Sequence, residues 1–210
     1  MLMKTNEVKK CQLTKITVLG NIGSGKSSLL DTLSLYGFPV EHEPFLNEDF
    51  LSKFYENMKE NSYLFQLQVL NSICKRNKNV GNKDIKFDSH VPFIVERGPE
   101  DGLNVFAVVL HNQGFIKKDQ LEALQELYNY LDPECKSDNF IYLRCSPETC
   151  LKRIKIRERE CEKNITLEYL TNIHNQYELL VNNIHSDKVL IIDAEQSIDE
   201  YLNQVFQYVN

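Results

Sequence analysis

Paired cysteines are missing from this chain. Its 6 cysteines, Cys11, Cys74, Cys135, Cys145, Cys150 and Cys161, are scattered, and no C-x-x-C pair occurs. That argues against a zinc site, and reduced thiols in a cytosolic protein are the simple reading. Long apolar runs are missing as well; none approaches the ~20 residues of a membrane span. Nor is there an excess of positive charge: the formal net charge is −6, whereas a general nucleic-acid binder carries a basic face. We therefore expect neither a nucleic-acid nor a membrane partner. The opening MLMKTNEVKKCQLTK has lysines but no apolar core for secretion, and it is not arginine-rich. Met1 to Thr14 is expected to be a loose leader. The expected location is cytoplasmic, with a mitochondrial one left open. Repeats and linkers are also lacking. With 210 residues, 42% of them hydrophobic, the chain can bury a full core without disulfide staples. A single domain over residues 15–210 is expected.

What is present begins at Lys15. Ile16, Val18 and Leu19 read as a short buried strand, and Ser27 to Tyr36 as a helix ended by Gly37. Between them Gly20-Asn21-Ile22-Gly23-Ser24-Gly25-Lys26-Ser27 fits G-x-x-x-x-G-K-[ST] without a mismatch. Glycines are needed there because backbone N–H groups must turn inward around a phosphate. The helix that follows offers its positive end to the same phosphates. Lys26 would reach the β- and γ-phosphates, and the Ser27 hydroxyl would ligate Mg²⁺. Gly20, Asn21, Gly23, Ser24, Gly25, Lys26, Ser27 and Ser28 are thus the candidate set for a nucleoside triphosphate such as ATP.

Further along, Phe38-Pro39-Val40 reads as a second strand ending at Glu41-His42-Glu43-Pro44. Glu48 to Met58 and Ser62 to Lys75 carry helical apolar spacing. Asn77 to Ser89 is polar and reads as a surface loop. Pro92 to Val95 is a buried strand ending at Glu96-Arg97, and Gly98-Pro99 reads as a turn. Val105 to His111 reads as helix, and Leu121, Leu124, Leu127, Tyr128 and Leu131 form the stripe of another. Phe140 to Leu143 is a fourth strand. Ser146-Pro147-Glu148 opens a helix that runs into the basic stretch Arg153 to Arg159. A long helix over Leu167 to Ile184, a strand over Val189 to Asp193 and a capping box at Ser197 to Glu200 complete the chain. Strands that alternate with helices and are themselves nearly all apolar imply a parallel α/β sheet, here five-stranded, with helices on both faces. This is a three-layer α/β/α architecture of the P-loop kind.

Right-handed crossovers place the strand carboxyl ends on one rim, where ligands sit. Lys26, Glu43, Glu96 and Arg97 fall on that rim. Phosphoryl transfer needs counter-charges, a metal and a proton acceptor. Lys26, Arg153, Arg157 and Arg159 are candidate counter-charges, Ser27 and Glu96 candidate Mg²⁺ ligands, and Glu43 the candidate base. Each has a plainer reading when taken alone. The basic run can be a solvated face, Glu43 a turn residue, Glu96-Arg97 a structural ion pair and Gln66 a helix-surface residue.

The order of motifs resembles the deoxynucleoside kinase family. GNIGSGKSS, Glu43-Pro44, Tyr63-Leu64-Phe65-Gln66, Val95-Glu96-Arg97, the stretch from Ile141 to Ile154, Arg157 with Arg159, and His174 to Glu178 match in sequence order. The resemblance implies ATP-dependent phosphorylation of a deoxynucleoside 5′-hydroxyl with Mg²⁺, by a homodimer. It implies Glu43 as base, Gln66 hydrogen-bonding the nucleobase, Glu96 serving the metal and Arg97 the 5′-oxygen. Tyr55 and Glu162 fall where the family holds the 3′-hydroxyl, and Phe106 where it stacks on the base. The resemblance also implies a lid segment at about residues 157–165; Gly98-Pro99 stands where a serine is usual, and in the lid Arg157-Glu158-Arg159 replaces R-G-R. Ile73 and Gly102 occupy the positions of an arginine–aspartate pair, with Asp101 one residue early. A nucleoside monophosphate kinase of related fold, or a non-catalytic ATP-binding subunit, remains as an alternative.

Overall fold

The computed structural model describes residues 14–44, 48–82, 91–131, 135–137 and 139–209. Apart from Thr14, the expected leader lies outside them. Five strands form one parallel sheet: β1 (Lys15–Gly20), β2 (Val40–Glu41), β3 (Phe93–Glu96), β4 (Asn139–Arg144) and β5 (Val189–Asp193), in the order β2-β3-β1-β4-β5. Side chains along a strand alternate between faces. Every residue of β1 and β3 is nonetheless buried, so both faces of the sheet centre are covered. β1 pairs Ile16 with Ile94 on one side and Val18 with Ile141 on the other. β2 is a two-residue edge strand, joined to β3 at Val40↔Ile94 and Glu41↔Val95.

The helices follow the sequence closely at both ends of the chain. α1 (Lys26–Leu35) buries Leu29, Leu30 and Leu33 and packs against β1 and β3. α2 (Glu48–Glu56) and α3 (Met58–Asn82) follow. α4 (Pro99–Asp101), a π-helical stretch (Gly102–Ala107) and α5 (Val108–Asn112) run on without a break. α6 (Lys118–Asn129) precedes β4, and α7 (Pro147–Arg157) follows it. α7 starts as expected, with Ser146 Oγ accepting from the Thr149 N–H at 3.2 Å and Pro147 in its first turn. α8 (Leu167–Asn182) packs on α7, and α9 (Ile198–Val209) on β5. Glu200 caps α9 by accepting from the Ser197 N–H at 2.7 Å.

Two readings are corrected. The loop expected from Asn77 is helical as far as Asn82, and residues 83–89 lie outside the described set. Asn77 is buried and donates through Nδ2 to the Cys135 carbonyl at 2.7 Å, so hydrogen bonding takes the place of the missing apolar stripe. The helix expected at Val105 begins at Pro99 instead. Proline lacks the N–H that a first helical turn leaves unused, and Asp101 Oδ1 accepts from the Gly98 N–H at 2.9 Å.

Candidate active site

The loop between β1 and α1 turns on three positive-φ glycines, Gly20, Gly23 and Gly25. At Gly23 a Cβ would meet the Cys150 carbonyl oxygen at 2.7 Å, so only glycine fits. Asn21 ties the loop to α8 by donating to the Leu170 carbonyl at 2.9 Å. Arg153 ties it to α7 and to the turn after β5, donating to the carbonyls of Ser24 at 3.3 Å and Ala194 at 2.9 Å. Lys26 Nζ is folded back onto the loop, donating to the carbonyls of Gly20 at 3.1 Å and Asn21 at 2.8 Å. Burial, and after it Arg97, pulls this ammonium down to about 8. The Ser24 hydroxyl is buried without a hydrogen-bond partner. An anion held by the loop's N–H groups fits this cradle.

Beside it, Ser27 Oγ donates to both Glu96 oxygens, at 3.1 and 3.0 Å. Burial pushes the Glu96 carboxyl up, but Lys26, Arg97 and the Ser27 hydroxyl together bring it below its ordinary value. A hydroxyl next to an ionised carboxylate suits a hard cation such as Mg²⁺, which binds one or two protein oxygens and takes the rest from phosphate and water.

Glu96 ends β3, and Arg97 follows in the left-handed region at φ 57. That turn sends its guanidinium into the cleft while its N–H still donates to the Val18 carbonyl at 3.1 Å. Arg97 Nε donates to Glu43 Oε2 at 2.9 Å. Its Nη1 donates to Tyr177 at 2.8 Å and Asp101 at 3.3 Å. Burial opposes the charge of Arg97, but Glu43, Tyr177 and Asp101 outweigh it, so the guanidinium stays protonated. Glu43 keeps 38% of its side chain exposed, against 8% for Arg97. The carboxylate is therefore anchored on one side and open on the other. The Phe106 ring lies under Arg97, with its centroid 4.6 Å from the guanidinium carbon.

A cavity of about 760 Å³ joins these groups. Tyr55, Gln66, Phe106 and Glu162 line it, with Gly23, Gly25, Lys26, Ser27 and Ser28 of the loop and Arg153, Arg157 and Arg159 from α7 and the residues after it. Of the sequence-predicted residues, Gly20, Asn21 and Ser24 do not line it and belong to the loop's underside. Arg157 and Arg159 converge on one carboxylate within the protein. Arg157 makes a two-pronged contact with Glu162 at 2.6 and 2.7 Å, and Arg159 lies 3.6 Å from the same group. Asp101 is buried and bonded to the Gly98 N–H, Arg97 and Tyr177, and it lines the cavity together with Ile73, Gly102 and Phe106.

Two contributors were not found from the sequence. Tyr177 falls within the motif match from His174 to Glu178, which gives it no role. The helix read over Ser62 to Lys75 ends one residue short of Arg76. Continuing the helical count would have placed it one turn beyond Ile73, on the same face.

A phosphate loop at the carboxyl edge of a parallel sheet, facing an anchored carboxylate, defines a P-loop phosphotransferase. The deoxynucleoside kinase family model matches residues 16–210, and the chain belongs to that family; it is a deoxynucleoside kinase. It is 31% identical over 196 residues to the deoxyguanosine kinase of Bacillus subtilis, covering 90% of each chain. It is 30% identical over 186 residues to the deoxyadenosine kinase of Dictyostelium discoideum, covering 84% of this chain and 70% of that one. A deoxyadenosine kinase from M. mycoides, solved with bound dATP, shares the fold at a TM-score of 0.78. Its identity is 24%, over 92% of this chain and 98% of the other.

Proposed function

We propose that this kinase, one domain over residues 15–210, moves the γ-phosphoryl group of ATP or another nucleoside triphosphate to a deoxynucleoside 5′-hydroxyl. The observation that carries this reading is Glu43, held by Arg97 at 2.9 Å and sharing one cavity with the phosphate loop. Glu43 takes the proton of the 5′-hydroxyl as its oxygen bonds to the γ-phosphorus. The bond from that phosphorus to the bridging oxygen breaks, and the nucleoside diphosphate departs with the electron pair. Lys26, Arg153, Arg157 and Arg159 balance the charge spread over the phosphates. Ser27 and Glu96 would hold Mg²⁺, which shields the donor phosphates when bound. Gln66 offers an amide to the edge of the base and Phe106 a face for it to stack on, while Tyr55 and Glu162 take the 3′-hydroxyl. A homodimer, implied by the family resemblance, is checked by sedimentation equilibrium.

Asp101 lines the cavity beside Ile73, Gly102 and Phe106, but its carboxylate is taken up by Arg97, Tyr177 and the Gly98 N–H and so is not free to select one base. The kinase should accept several deoxynucleosides, including one with a 5-methyl pyrimidine. The experiment offers γ-labelled ATP with each of the four deoxynucleosides and, separately, with their 5′-monophosphates. Label should pass to the nucleosides, with kcat/KM values spread over less than about 10³-fold. Transfer to monophosphates alone would contradict the reaction, and a larger preference for one base would contradict the open wall.

A further inference from the structure

Arg76 lies on α3 with its guanidinium buried, and it does not line the cavity. Its Nη1 donates to the carbonyls of His42 at 3.1 Å and Glu96 at 2.5 Å, and its Nη2 to the carbonyl of Arg97 at 2.6 Å. Nε donates to Asn77 Oδ1 at 3.1 Å, which holds the guanidinium plane from behind. Asn77 is fixed in turn by the Cys135 carbonyl at 2.7 Å.

The three carbonyls have something in common. β2 ends at Glu41 and β3 at Glu96, and the three carbonyls stand at or just beyond those ends, where Arg76 is the donor that reaches them. A buried carbonyl needs a donor, and here one planar group supplies three. The residues so held are His42, which precedes Glu43, and Glu96 and Arg97 themselves. The Arg97 carbonyl belongs to a residue with φ 57, a backbone state that costs energy unless its surroundings hold it. β2 is a two-residue edge strand joined to β3 at Val40 and Glu41, with Pro39 before it accepting from the Ile94 N–H at 2.9 Å. The Glu43 N–H reaches Glu96 Oε2 at a long 3.5 Å. Glu43 is thus placed by its contact to Arg97, by Arg76 through the carbonyls of His42, Glu96 and Arg97, and by the His42 ring, which lies 3.1 Å from Asp31 and 3.6 Å from Glu96.

We infer that Arg76 is a positioning residue for catalysis: it joins the ends of β2 and β3 and so fixes Glu43 against Arg97 and Glu96. The inference rests on the proposed role of Glu43 as base. Lysine cannot replace it fully, because an ammonium lacks the flat fork that reaches three acceptors.

The test uses the full-length protein and the deoxynucleoside it turns over fastest. Arg76→Met and Arg76→Lys are each made alone and in a Glu43→Gln background. Turnover is followed with γ-labelled ATP and nucleoside affinity by calorimetry. Arg76→Met should lower kcat by about 10²-fold, the scale of a misplaced reacting group, with the nucleoside Kd within about 3-fold of wild type. Arg76→Lys should recover part of that loss. In the Glu43→Gln background Arg76→Met should cost less than about 3-fold more, since both changes remove one function. A kcat near wild type, a Kd that rises as far as kcat falls, or a full additional loss in the Glu43→Gln background would overturn the inference. If Arg76→Met does not fold, Arg76→Lys carries the same comparison, and its loss must vanish with Glu43→Gln. Glu43→Gln at wild-type turnover would overturn the base assignment itself. Inactive Glu43→Gln beside fully active Arg76 variants would overturn only the role of Arg76.

Discussion

Lys26 shows how a residue's surroundings can hold its function ready. Its ammonium rests on two loop carbonyls, at 3.1 and 2.8 Å, while burial brings it down to about 8. The charge is thus present at neutral pH but poorly solvated, and phosphate oxygens would replace the solvation it lacks. Lys26→Ala should lower kcat/KM by on the order of 10³-fold or more, some 4 kcal/mol at the transition state. A folded variant with near-wild-type turnover would rule out this use of the loop. Glu100 makes a separate prediction about stability. Burial pushes its carboxyl up to about 7; one oxygen accepts from the Ser137 N–H at 2.9 Å, and the other is buried without a partner. The folded state therefore holds this proton more tightly than the unfolded chain does. The stabilisation is complete below about pH 4.5 and is lost as pH rises to about 7. Glu100→Gln removes that dependence. Urea melts at pH 5 and pH 8 should show the variant gaining on the wild type by on the order of 2–3 kcal/mol between the two. Parallel pH profiles would contradict it.

At the level of elements, the end of α7 bears on a departure seen in the sequence. α7 ends at Glu158, which takes the left-handed conformation at φ 52 and ψ 35, where a side chain is unfavourable and glycine is not. The R-G-R pattern that the chain departs from places glycine at this position. Glu158→Gly should therefore raise stability by on the order of 1 kcal/mol, seen as a higher denaturation midpoint at unchanged slope. A destabilised variant would mean that the Glu158 carboxylate holds something the conformational argument omits. The same level shows what the sequence could reveal. The strands were legible because both faces of the sheet are buried, which makes β1, β3 and β4 nearly continuous apolar runs. The phosphate loop was legible because its glycines are required by the backbone. The C-terminal part of α3 was not, because Lys75-Arg76-Asn77-Lys78 has no apolar stripe. Arg76 and Asn77 are buried through hydrogen bonds, which leave no period in the sequence. The π-helical stretch at Gly102–Ala107, which packs against α3 and α8, likewise leaves no period of its own in the sequence.

Across the whole molecule, a chain of net charge −6 gathers cations at one place. Lys26, Arg97, Arg153, Arg157 and Arg159 all line the cavity at the carboxyl ends of the strands. An acidic molecule can thus draw an anionic donor to a single cleft. The carboxylates there face the cations in pairs, Glu43 with Arg97, Glu96 with Lys26 and Glu162 with Arg157. Among the described residues, no helix is long and apolar enough to cross a membrane. The account depends most on Glu43 serving as the base, and one pair of measurements on Glu43→Gln tests it. The variant keeps the shape and the contact to Arg97 while removing the proton acceptor. Single-turnover transfer from γ-labelled ATP should slow by roughly 10²–10⁴-fold, while the nucleoside Kd from calorimetry stays within about 3-fold of wild type. A Kd that collapses while transfer from the bound complex proceeds at the wild-type rate would show that Glu43 binds the nucleoside and does not take its proton.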